Sequence, residues 1–140
     1  MSDVGRRKLC RLQEELAFLQ GQAGVTRRAW SGDPVLRRAV ERALQTAIEA
    51  CLDLGRHLVV AAQWGMPATG RDVANALEAH AVLTAAQAQH LREMVGFRNI
   101  LVHEYEAVDA DVVWTVLTRR LEDLRQIGEA LGRATEARGA

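Results

Sequence analysis

The sequence predicts an all-α fold, a bundle of four to five mostly antiparallel helices, and three observations carry that prediction. Of 140 residues, 49% are apolar yet only six are aromatic. Such a mix suits helices packed by aliphatic side chains better than a sheet of β-branched and aromatic residues. Apolar positions recur at helical spacing along most of the chain. The breaks between these stretches are short, which sets neighbouring helices antiparallel. A chain of this length fits one domain with a real core, placed here at residues 1–131. The tail over 132–140 has little to bury and is expected to be flexible.

A first helix is expected over about 4–20, with Leu9, Leu12, Leu16 and Leu19 at helical spacing. Gly21 and Gly24 weaken it, so the segment up to Trp30 continues as a frayed or bent helix. In Ser31-Gly32-Asp33-Pro34, Asp33 can cap and Pro34 can occupy a first helical turn. The second helix, about 34–63, has the strongest pattern. Val40, Leu44, Ala47, Cys51, Leu54 and Leu58 fall within about 80° of arc, and Ile48, Leu52 and Val59 form a second strip. Two strips mean more than one neighbour, as for the central helix of a bundle.

Residues 64–70 connect to a short third helix, about 71–80. Thr84-Ala85-Ala86-Gln87 reads as a capping box, opening a fourth helix over about 85–95 that Gly96 ends or bends. Asp109 is a candidate cap for a last helix through about Leu131, built on Val116, Leu117, Leu121, Leu124 and Ile127. Repeats and low-complexity segments are not evident.

Net charge is formally zero, so no global positive field draws the chain to nucleic acid. Any nucleic-acid site must therefore be a local patch. Of the 18 basic residues, all but Lys8 are arginine. The pairs at 27–28, 37–38 and 119–120 are candidates for steering a polyanion or docking a partner, against a default of solvated faces. Cys10 and Cys51 lack partners at metal-ligand spacing and read as small buried hydrophobes. His57, His80 and His90 read as surface or boundary residues. No stretch has the length and apolarity of a membrane span, and residues 1–6 lack the apolar core of a signal peptide. The expectation is a cytoplasmic protein with neither metal nor cofactor.

The chemistry concentrates in Arg98-Asn99-Ile100-Leu101-Val102-His103-Glu104-Tyr105, which holds the chain's single tyrosine. Arginine can clamp a phosphate with its planar fork, and histidine can move a proton near neutral pH. On one straight helix His103 would sit about 140° from Arg98. Either the helix is interrupted near His103, or the partners come from another chain. Cleavage by a ribose 2′-OH without a metal needs a base, an acid and a cation for the phosphorane. Two copies about a two-fold axis would supply two histidines and two arginines to one cleft. Asn99 can orient His103, contact phosphate or act as a plain cap. Glu49 and Asp53, one turn apart, either face that cleft or belong to a solvated face. Arg98 can also tie helices together through a carboxylate such as Asp53 or Asp109. Tyr105 is as readily a packing residue as a modified one.

The spacing Arg-x4-His-x-Tyr, after Gly96-Phe97 and before Asp109, resembles the signature of the HEPN superfamily of helical ribonucleases. Together with residues 39–53, it resembles most the HepT toxins of bacterial toxin–antitoxin pairs, over roughly residues 5–130. The resemblance implies a HEPN-type bundle acting as a homodimer with a composite site. It assigns acid–base work to His103 and phosphate stabilisation to Arg98, with Asn99 and Asp53 in support. It further implies a metal-independent ribonuclease cutting transfer or messenger RNA. The implied antitoxin is a separate MntA-type nucleotidyltransferase that places AMP on the hydroxyl of Tyr105. The alternative is a catalytically idle bundle that docks such a nucleotidyltransferase, and zero net charge leans that way.

Overall fold

A computed structural model describes residues 1–104, 106 and 108–140. Helices α1 (Asp3–Gln22), α2 (Arg27–Ser31), α3 (Pro34–Ala61), α4 (Gly70–Ala79), α5 (Ala85–His103), α6 (Ala110–Thr115) and α7 (Leu121–Ala137) follow in order, with a π-helical turn at Val116–Arg120 joining the last two. Among the described residues there is no strand.

Four helices form the bundle, each antiparallel to its neighbours. Lys8 of α1 meets Asp53 of α3, while Phe18, ten residues on, shares a groove with Ala39 and Arg42. Glu49 of α3 lies beside Arg98 of α5, and His90 and Glu93 of α5 face Asp123 and Arg120. The ring closes where Gly128 and Gly132 of α7 lie against Leu12 and Leu9 of α1. The two apolar strips of α3 are both used: Val40, Leu44, Ala47, Cys51, Leu54 and Leu58 are buried, and so are Ile48, Leu52 and Val59. Helix α4 lies over α3, where Gly55 admits Val73 so closely that a Cβ would sit 2.9 Å from its Cγ1.

The caps come from the side chains the sequence offers. Asp33 accepts from Leu36 N–H with Pro34 in the first turn, Thr84 and Gln87 close their box reciprocally, and Asp109 accepts from Asp111 N–H. Each satisfies a donor that a helix start leaves orphaned.

Several boundaries differ from expectation. The segment before Trp30 is a separate short helix because Thr26 caps it anew. Gly96 does not end α5, which runs on to His103; a lone glycine costs too little to stop a helix packed on both sides. Residues 132–137 extend α7, and Thr135 is fully buried with its hydroxyl bonded to the Leu131 carbonyl. The last helix therefore outruns the expected boundary at Leu131. Cys51 is buried, and burial pushes its thiol up to about 12; Cys10, expected buried, is exposed on α1.

Helices α2 and α6 clasp one end of the bundle. Trp30 is completely buried, and its indole N–H donates to the Ala110 carbonyl at 2.9 Å. Trp114 returns a bond to the Val25 carbonyl, and Arg27 pairs with Asp111. This clasp fixes α6 downstream of the Arg98–Tyr105 segment. Trp30→Ala is expected to cost about 3–5 kcal/mol of stability through lost burial and a residual cavity. Urea unfolding tests this, and a loss below about 1 kcal/mol would show that the site closes up without the indole.

Candidate active site

Helix α5 delivers Arg98, Asn99 and His103 on one continuous run of α-helix, terminated by Glu104, whose N–H donates to the Ile100 carbonyl. The helix stops only after His103, so Arg98 and His103 both lie within it. Over five regular residues the two side chains leave α5 about 140° apart.

Arg98 turns inward, toward α3. Its side chain is 25% exposed, and one guanidinium nitrogen lies 3.9 Å from Glu49 Oε1. Glu49 is steadied by Gln45, which donates to the same oxygen at 3.2 Å. The Arg98 Nε is buried with no hydrogen-bond partner among the described residues. A buried N–H without an acceptor is costly, and functional sites are one place where such groups are kept. The guanidinium thus has a distant counter-ion and unspent donors, a disposition suited to receiving an anion.

The carboxylate beside Arg98 is one turn from the residue expected to support it. Asp53 is engaged by Lys8 at 2.6 Å on the α1 side, and Asp109 is spent on capping α6. Neither ties Arg98 down. Glu49 was legible as half of a carboxylate pair on the polar side of α3. Choosing between the two required knowing which side of that helix α5 covers.

His103 and Asn99 share the opposite, solvent-facing side of α5. They are four residues apart and so nearly aligned, and both are exposed. Neither side chain makes a hydrogen bond among the described residues. Ile100 and Val102 beside them are 38% and 37% exposed. Tyr105, the expected modified residue, lies outside the described residues. No three His, Cys, Asp or Glu side chains gather into a metal-binding group among the described residues.

A local excess of basic residues exists despite the neutral total. Arg7, Lys8 and Arg11 of α1 line one shallow groove against α3 together with Asp53, with which Lys8 pairs. The adjoining groove adds Arg42, Glu15 and the half-exposed ring of Phe18. The paired arginines behave differently, since one of each pair is spent within the chain. Arg27 binds Asp111, Arg37 donates to the Trp30 and Ser31 carbonyls, and Arg120 bridges Glu93 and Asp123.

Comparison with known proteins agrees with the helical bundle. The chain is 36% identical over 94 residues to the mRNA nuclease HepT of Shewanella oneidensis, covering 67% of this chain and 71% of that one. It is 30% identical over 95 residues to the tRNA nuclease HepT of Aphanizomenon flos-aquae, covering 65% of each. Its fold superposes on the tri-AMPylated Shewanella oneidensis HEPN toxin, solved in complex with its MNT antitoxin, with a TM-score of 0.83 and 30% identity. That match covers 93% of this chain and 97% of the toxin. The family model for HepT-like ribonucleases matches residues 12–131, and the chain belongs to that family.

Proposed function

We propose that this protein is a metal-independent ribonuclease toxin whose active site is shared between two copies, with Arg98 and His103 as its chemical groups. The observation that carries the reading is the unbroken α5. It sends the phosphate-binding and proton-transferring side chains of one copy in different directions, so one copy presents half of the required chemistry.

In the shared cleft, one imidazole takes the proton from a ribose 2′-OH as its oxygen attacks the adjacent phosphorus. Arg98 spends its open donors on the phosphorane oxygens, where negative charge builds. The bond from phosphorus to the 5′-oxygen breaks, and the second imidazole, entering protonated, delivers a proton to that leaving oxygen. The products are a 2′,3′-cyclic phosphate and a 5′-hydroxyl. Asn99, on the same exposed face as His103, is the polar side chain placed to contact substrate beside the ring. Glu49 takes the supporting place first assigned to Asp53 by holding Arg98 in the cleft. Arg7, Arg11 and Arg42, in the grooves between α1 and α3, supply local cations toward a polyanion on an otherwise neutral chain.

RNA as substrate is supported by the nuclease relatives, one named for mRNA and the other for tRNA. Silencing is assigned to a separate nucleotidyltransferase of the MntA type, which transfers AMP from ATP to the Tyr105 hydroxyl. The solved relative is itself AMPylated and bound to its antitoxin. An adenylate two residues from His103 adds phosphate charge that competes for Arg98 and bulk that blocks RNA.

Incubation of total RNA with unmodified protein in excess EDTA tests the chemistry. Cleavage is expected to persist, and fresh 5′ ends should accept label from polynucleotide kinase without prior dephosphorylation. Cleavage that stops in EDTA and returns with a divalent ion, or ends already carrying 5′-phosphate, would exclude this mechanism. No cleavage at all by dimeric protein with Tyr105 shown unmodified by mass would leave the idle docking module as the better reading.

A further inference from the structure

The chain has few aromatic residues, and all but one of those described are used in packing. Trp30 is fully buried, and Trp64, Phe97 and Trp114 lie partly buried against the core. Phe18 does neither: it stands on α1 with 41% of its surface exposed. A single exposed apolar side chain is ordinary, so its surroundings decide whether it matters. Phe18 lines an open groove of about 360 Å³ between α1 and α3, where Ala39 and Ala43 leave room and Arg11 and Arg42 bring charge. Both arginines are exposed, and neither makes an ion pair or a side-chain hydrogen bond among the described residues. Glu15 is the one carboxylate of this groove. Arg11 also lines the neighbouring groove with Arg7, where Lys8 and Asp53 offset each other.

An exposed ring beside unpaired guanidiniums is suited to holding an unpaired nucleotide. The ring stacks on a base whatever its sequence, and the cations take the flanking phosphates. Glu15 fits the same ligand, because a carboxylate accepts hydrogen bonds from base amino groups. We propose that Phe18, with Arg11 and Arg42, forms a stacking subsite for one unpaired nucleotide of the RNA. The proposal rests on RNA as the substrate and adds that the strand is single where it crosses α1. Position along α3 links the subsite to the chemistry. Arg42 and Glu49 are seven residues apart, nearly aligned and separated by about 10 Å along the helix axis. Glu49 is the carboxylate beside Arg98. That distance spans about three stacked nucleotides at ~3.4 Å each, and fewer in an extended strand. The stacked base therefore lies about two or three nucleotides from the phosphate held by Arg98. A base paired within a duplex has no free face for Phe18.

Binding of a short 2′-O-methyl RNA strand, which lacks the attacking hydroxyl, tests the subsite by fluorescence anisotropy on the unmodified protein. Phe18→Leu keeps an apolar side chain on α1 and so keeps the fold. It is expected to weaken binding about tenfold or more, and Phe18→Trp to restore it. Arg11→Gln and Arg42→Gln should each lower the slope of log affinity against log salt by about 0.7, a change that Phe18→Leu should not make. Arg28→Gln, at an exposed arginine outside both grooves, should bind as wild type does. The same strand annealed to its complement should bind without dependence on Phe18. Equal binding of the single strand by wild type and Phe18→Leu, or none by wild type, would overturn the subsite. So would unchanged RNA binding with altered sedimentation in Phe18→Leu, which would give the ring to a protein contact. Phe18-dependent binding without cleavage of the ordinary strand would uphold the subsite and overturn the ribonuclease reading, so the two fail separately.

Discussion

His103→Ala is expected to lower RNA cleavage by about 10²–10⁴-fold, the range a positioned acid–base group supplies. The fold should be unaffected, because the imidazole is exposed and makes no hydrogen bond within the described residues. Mixing wild-type and His103→Ala protein after subunit exchange is the more discriminating version. If one cleft needs an imidazole from each copy, the heterodimer is inactive and only wild-type homodimers work. An equal mixture then retains about a quarter of the activity of the same total wild-type protein. If each copy acts alone, the same mixture retains about half. A curve that falls with the square of the wild-type fraction supports the composite site; a straight line excludes it.

The fold was legible because its cues are local. The capping box at Thr84–Gln87, the Asp33–Pro34 start and the two strips of α3 each specify an element within a few residues of sequence. Failures occurred where a local cue was overridden by packing. Gly96 reads as a break, yet α5 passes through it because Leu91, Met94, Val95 and Leu101 are buried on either side. Gly132 reads as the start of a tail, yet it is the close contact that seats Leu9 against α7. Thr135 and Ala140 beyond it need little space to be buried.

The site was legible in a different measure. Spacing alone showed that Arg98 and His103 diverge on a straight helix, but not whether the helix stays straight. The identity of the carboxylate beside Arg98 was out of reach. Glu49 and Asp53 differ by one turn, and only the placement of α1 and α5 on either side of α3 sends Asp53 to Lys8 and leaves Glu49 for Arg98.

Arg98→Ala should separate catalysis from stability. An arginine that merely joins α5 to α3 would contribute to folding, and its removal would leave Glu49 half-buried without a counter-ion. The geometry argues otherwise. The pair is 3.9 Å apart and partly solvated, which places its worth at about 0–1 kcal/mol. Against that stands the buried, unpartnered Nε, whose desolvation costs about 1–3 kcal/mol. The two terms nearly cancel or favour the alanine, so thermal unfolding should occur at or slightly above the wild-type temperature. Cleavage should fall by about 10²–10³-fold in kcat, as for loss of a donor aimed at a developing oxyanion. Arg98→Lys restores the charge without the planar fork and should recover only part of that loss. Single-turnover cleavage and calorimetry on the same preparations decide the matter. A destabilisation above about 2 kcal/mol with cleavage falling only in proportion to the folded fraction would make Arg98 a structural tie.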